Sequence, residues 1–155
     1  MTGRLQHEIK QTRPFSSSRS EALVGILRTA AVLDHAINEA LKPHGLTATQ
    51  HNVLRILRGA GTGGLCGREV GERLIARVPD VSRLLDRMAE SGLVARERDA
   101  VDRRHVTARI TDAGLGLLDR VDPVIAEVEA RHTGRLAADA LTGLIDALDA
   151  VRAGC

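Results

Sequence analysis

The stretch from Pro79 to Arg104 narrows the choice of folds more than any other part of this chain. On a helix of 100° per residue, Val81, Leu84, Leu85 and Met88 fall within roughly 100° of arc, while Arg83 and Arg87 lie on the opposite side, one turn apart. Pro79 is a favoured first-turn residue and Gly92 a good terminator, which predicts a helix over Pro79–Ser91. Leu93–Arg98 and His105–Ile110 read as two strands, with Asp99–Arg104 as the hairpin loop between them. A short helix over about Gly67–Leu74 comes before, linked by the turn-length segment Ile75–Val78. Two helices joined by a tight turn and followed by a β-hairpin make a winged helix-turn-helix.

The flanks read as helices. Leu23, Ile26, Leu27, Ala30, Ile37 and Leu41 recur at helical spacing from about Ser20 to Lys42, and Pro43, His44 and Gly45 stop that run. Thr47 and Gln50 form a capping box that opens a helix carrying Val53, Leu54, Ile56 and Leu57. Thr111 caps a long helix with Leu115, Leu118, Val121, Ile125 and Val128, in which Pro123 is expected to make a kink. A last helix covers about Ala137–Val151. The first and last helices have apolar stripes longer than the small central module can cover, so they need a partner surface. The expected fold is mainly α with a small β-hairpin wing: a winged helix-turn-helix flanked by dimerisation helices. Residues 1–19 read as a flexible N-terminal arm, residues 20–45 with 112–155 as the helical dimerisation region, and residues 46–111 as the DNA-binding lobe.

The charges point to duplex DNA. Residues 1–63 hold eight Lys or Arg against four acids, whereas residues 111–155 hold four Arg against eight, so the chain is electrically polarised. Phe15 is the only aromatic residue, which leaves almost nothing on which to stack unpaired bases and argues against a single-strand or RNA binder. A helix fits the major groove, where arginine contacts guanine bidentately. Pro79, Asp80, Ser82, Arg83 and Arg87 are therefore the candidate readers, although Arg83 and Arg87 can equally be a solvated face paired with Asp80, Asp86 or Glu90. Arg96, Arg98, Arg103, Arg104 and Arg109 crowd the hairpin, and an arginine at its tip suits a narrow minor groove. Asp102, two residues before Arg104, could hold that guanidinium in one orientation. Arg68 and Arg77 are further candidates for the DNA backbone.

These segments resemble the MarR-type regulators. The resemblance rests on Leu46–Gln50, Val81–Met88, Gly92–Val94, Asp102–Arg104 and Ile110–Gly114, in that order and spacing. It implies a homodimer in which the first, fifth and sixth helices interleave. It implies that Arg104 enters the minor groove with Asp102 positioning it, and that Ser82, Arg83 and their neighbours read the major groove. It also implies repression of a nearby promoter, relieved by a small molecule or by oxidation. Two recognition helices related by a two-fold meet successive major grooves about 34 Å apart, so the expected operator is a pseudo-palindrome.

The remaining chemistry is sparse. His35, Asn38 and His51 are candidates to line an effector pocket, which the shortage of aromatics predicts to be aliphatic with few polar anchors. No His, Cys, Asp or Glu spacing forms a recognised metal set, and no nucleophile–base pair or phosphate loop appears, so neither metal, cofactor nor enzymatic activity is expected. Cys66 reads as a cap substitute on the short helix, with redox sensing as its alternative, and Cys155 as an exposed thiol. A protein-interaction winged helix without DNA binding is the other alternative. No apolar run approaches the ~18 residues of a membrane span. Residues 1–20 carry basic residues without a secretion-type apolar stretch, so a cytoplasmic protein with no membrane partner is expected.

Overall fold

A computed structural model describes residues 4–154. Several of the helices start where a side chain satisfies a free amide of the first turn. Ser17 accepts from the Ser20 amide and opens α2 (Ser18–Leu41). The Thr47–Gln50 capping box is present in both directions and opens α3 (Ala48–Ala60). Asn38 Oδ1 accepts from the Ala48 amide at 2.8 Å, so α2 also caps the helix that follows it. Thr111 accepts from the Gly114 amide and opens α6 (Asp112–Thr133), which continues as one helix through Pro123. α7 (Ala138–Ala153) closes the chain.

The central lobe holds α4 (Gly67–Arg73), α5 (Val81–Glu90) and the strands β1 (Leu65–Cys66), β2 (Val94–Arg98) and β3 (Val106–Ile110). The sheet is antiparallel in the order β1-β3-β2, with Val94 opposite Ile110 and Arg98 opposite Val106. Leu54, Leu57, Val70, Leu85 and Met88 are fully buried in its core, joined by Leu118 and Val121 of α6. The stripe Val81, Leu84, Leu85 and Met88 therefore faces inward as its periodicity requires: Leu85 and Met88 are buried, and Val81 and Leu84 pack against them.

The structure departs from the sequence expectation in several places. The helix expected from Pro79 starts at Val81, because the Asp80 carboxylate accepts from the Arg83 amide at 2.9 Å and takes the cap position, leaving Pro79 outside. β1 was not anticipated; two residues are too few to show a period. The stretch read as a flexible arm contains a short helix, α1 (Arg4–Glu8). Gln6 is buried there, Leu5 lies over Gly25, and Glu8 pairs with Arg28 of α2 at 2.9 Å.

Gly114 explains how the wing lies against α6. A Cβ on it would sit 2.4 Å from the Leu93 carbonyl oxygen and 2.8 Å from Ile110 Cγ1. Thr111 completes the joint by donating to the Gly92 carbonyl at 2.6 Å while it caps α6.

Candidate nucleic-acid interface

The outer face of α5 carries Ser82, Arg83, Asp86 and Arg87, all exposed. The acids weighed as ion-pair partners for the two arginines are largely engaged elsewhere. Asp80 caps the helix through the Arg83 backbone, and Asp86 pairs with Arg96 of β2. Among the described residues neither Arg83 nor Arg87 has a carboxylate within ion-pair distance, so both guanidinium groups face solvent uncompensated. Pro79 and Asp80 are exposed at the start of the same helix.

The wing tip is ordered by two aspartates. Asp99 Oδ1 accepts from the amides of Val101 (2.7 Å) and Asp102 (3.0 Å). These donors, that of Asp102 first, hold the Asp99 carboxyl below the ordinary carboxylate range. Asp102 Oδ1 accepts from the Arg104 amide at 3.0 Å, and its other oxygen lies 3.7 Å from His105 Nε2. This corrects one expectation. Asp102 engages the Arg104 backbone rather than its guanidinium, because a short carboxylate in a tight loop reaches the amide two residues on, as in an Asx-turn. Arg103 and Arg104 project from the tip, exposed and without an acidic partner among the described residues.

The backbone candidates differ from each other. Arg77 is exposed in the link between α4 and α5, whereas Arg68 pairs with Glu72 one turn along α4 at 2.9 Å. Two arginines on the strands have structural partners. Arg109 pairs with Glu97 across the hairpin, and Arg96 is the latch from β2 onto α5. In the sequence both appear only as part of the wing's charge. Their alternation with Glu97 on β-strands was the available signal, and it does not say which helix lies behind the sheet.

The three pocket candidates are not brought together. His35 is exposed on α2, and Asn38 is occupied in capping α3 and in donating to the Asp34 carbonyl. Only His51 reaches a cleft, of about 240 Å³ between α3 and α6, with Arg55, Arg58, Asp122, Ile125 and Glu129 around it. Charged side chains dominate this lining, unlike the aliphatic pocket expected from composition. α3 places 51, 55 and 58 on one face, and α6 answers with 122, 125 and 129. Arg58 joins the two helices through a 2.8 Å ion pair with Asp122.

His51 is 6% exposed and its Nε2 has no hydrogen-bond partner among the described residues. Burial, and then the positive charge of Arg55, push its pKa below the usual histidine value, against a smaller upward pull from Asp122. The unfolded chain therefore takes up this proton at a higher pH than the folded chain. The contribution is complete above ~6.5 and stability is lost as pH falls below it. The urea midpoint of the wild type is expected to drop more between pH 7.5 and 5.5 than that of His51→Gln; equal drops would remove His51 as the source.

Cys66 is the N-cap residue of α4, half-buried, and its amide donates to Glu69 Oε2 at 2.8 Å. Cys155 lies outside the described residues. Among the described residues no group of three His, Cys, Asp or Glu is placed to hold a metal ion, and no helix is long and apolar enough to cross a membrane.

Comparison with known proteins agrees with this geometry. A family model described as the MarR family matches residues 44–105. The HTH-type transcriptional regulator YkoM of Bacillus subtilis is 31% identical over 117 residues, which is 72% of this chain and 74% of that one. A crystal structure of a MarR transcription factor from Planctomyces limnophilus is 35% identical, with a TM-score of 0.68 over 88% of this chain and 98% of that one. A mutant MarR from E. coli complexed with operator DNA is 25% identical, with a TM-score of 0.73 over 96% and 99% of the two chains.

Proposed function

The chain belongs to the MarR family of winged helix-turn-helix transcriptional regulators, and from that premise we propose how it works. It is a DNA-binding regulator that acts as a homodimeric repressor on a pseudo-palindromic site and is released by a small molecule. α5 enters the major groove with Ser82, Arg83 and Arg87 toward the bases and Pro79 and Asp80 at the groove edge. The loop bearing Arg103 and Arg104 reaches the neighbouring minor groove, with Asp102 shaping the backbone beneath Arg104. Arg77 meets the phosphate backbone, and Arg68 does so only by sharing Glu72. The observation that carries this reading is the pair of uncompensated arginines on α5 beside a second pair at the wing tip. Of the three acids at hand, Asp80 is spent on a cap and Asp86 on Arg96, and Glu90 pairs with neither arginine among the described residues.

Assembly rests on the uncovered faces of α2 and α7. Leu23 is 57% exposed and Leu27 61%, with Leu144, Ile145 and Val151 also exposed. Between α1, α2 and α7 lies an open groove of about 560 Å³ whose apolar lining includes Leu5, Val32, Leu33, Leu136 and Leu144. A second copy covers these surfaces. Release by an effector is supported by the α3–α6 cleft, since it lies where the lobe meets the dimerisation helices. His51 is the one pocket candidate that reaches it; His35 and Asn38 stand outside it.

The test separates base reading from backbone contact. Arg83→Ala is expected to cost ~1–3 kcal/mol on the cognate duplex and little on random DNA. Arg104→Ala is expected to weaken all duplexes and to lower the slope of log K against log salt by about one. Fluorescence anisotropy titrations over a salt series read both. Equal losses for Arg83→Ala on cognate and random DNA would take it out of the base-reading role. Absence of any salt-sensitive binding would leave a protein-interaction module.

A further inference from the structure

Arg96 stands in the middle of β2, opposite Ala108 of β3, and turns its side chain back onto α5. Its Nη1 donates to the Ser82 carbonyl and to Ser82 Oγ, each at 3.2 Å, and pairs with Asp86. Although it rises from a surface strand, this side chain is only 16% exposed. It is thus a packed cation held against Ser82 and Asp86 of the helix that faces DNA.

The consequence lies in the Ser82 hydroxyl. A hydroxyl has one hydrogen and two lone pairs, whereas a guanidinium can only donate. With Arg96 donating to Oγ, the hydroxyl hydrogen has to point away from Arg96. A serine inside a helix usually returns that hydrogen to the carbonyl four residues back. Ser82 is the second residue of α5, so residue 78 precedes the cap, and Ser82 Oγ makes no donation among the described residues. The hydrogen is therefore left for the outer face. Asp86, on the same face, has its charge compensated by the same guanidinium and repels phosphate less than a free carboxylate would.

We propose that Arg96 is a specificity-determining positioning residue. By holding Ser82 Oγ through one of its lone pairs, it fixes the hydroxyl with its hydrogen free to be donated to the duplex. The groups that can accept this hydrogen are purine N7, guanine O6, thymine O4 and a phosphate oxygen. This rests on the reading that α5 lies in the major groove.

The experiment begins with a duplex selected from a random pool by the full-length protein. Single acceptors are then deleted one at a time, with 7-deazapurines, 2-aminopurine for guanine and 5-methylpyrimidin-2-one for thymine on the bases, and with methylphosphonates on the backbone. One deletion per half-site is expected to weaken the wild type about fivefold and to leave Ser82→Ala unaffected. Whether that deletion is on a base or on a phosphate identifies the acceptor. Arg96→Lys, which can still donate to Oγ, keeps the sensitivity; Arg96→Met loses it with the salt slope unchanged. Ser82→Ala retaining the wild-type deletion profile would overturn the proposal, as would a folded Arg96→Met that retains it. If Arg96→Met melts early, Ser82→Ala and Arg96→Lys decide the question alone. A pool that yields no salt-sensitive duplex overturns the DNA reading itself.

Discussion

Gly64→Ala is expected to destabilise the protein by about 3 kcal/mol or more, a large part of the ~5–15 kcal/mol that holds a typical domain together. Two costs add. Gly64 has φ 67° and ψ −171°, a conformation essentially confined to glycine, worth ~1–3 kcal/mol to any other residue. A Cβ there would also lie 2.5 Å from the Ala108 carbonyl oxygen, 2.6 Å from Arg109 Cγ and 2.7 Å from Thr107 Cγ2. The first of these is backbone of β3 and cannot step aside without parting β1 from the sheet. Gly61 supplies the control. It has φ 65° and ψ −152°, but open space where a Cβ would go. Gly61→Ala therefore reports the backbone cost alone, about 1–3 kcal/mol. Urea denaturation of the three proteins reads the difference; Gly64→Ala no less stable than Gly61→Ala would show that the β1–β3 approach has room for a methyl group.

Placing a charge on the uncovered apolar face should have the largest effect on DNA binding. The double variant Leu27→Glu, Leu144→Glu is expected to be monomeric by light scattering and to lose affinity for a full operator by on the order of 10²-fold or more. The loss exceeds that of any single contact because the two lobes of a dimer act as one ligand. Once one lobe is bound, the other meets its half-site at a high effective concentration, and a monomer forfeits that gain. Both leucines are already exposed in the single chain, so the lobe keeps its fold and binds a half-site with undiminished salt dependence. A double variant that stays dimeric and binds the operator as before would place the dimer contact elsewhere.

The recognition helix and the wing were legible in the sequence because each has its own period. The apolar stripe of α5 repeats at 3.6 and the hairpin is punctuated by charged turn residues, so position in the chain and face of the element come together. The Thr47 and Thr111 caps were legible for the same reason, being contacts over three residues. Asp80 was misread because proline and aspartate compete for the start of a helix, and only the Arg83 amide pointing at Asp80 decides between them.

The pocket was not legible. Its lining comes from 51, 55 and 58 on one helix and 122, 125 and 129 on another, and no local pattern joins them. Asn38 was a candidate for the pocket lining; the fold makes it a cap for α3. Arg96 looked like one wing arginine among five until the sheet packed on α5.

Sequence alone determined the order of the elements from α2 onward apart from β1, the inward faces of α3, α5 and α6, and the residues left outward on α5 and at the wing tip. All of these follow from backbone periods and from hydrogen bonds between near neighbours in the chain. The tertiary structure decided which arginines are free and which are structural. Whether a guanidinium meets a carboxylate depends on segments 10 to 64 residues apart, as for Arg96 with Asp86 and Arg58 with Asp122, and that distance is closed only by folding.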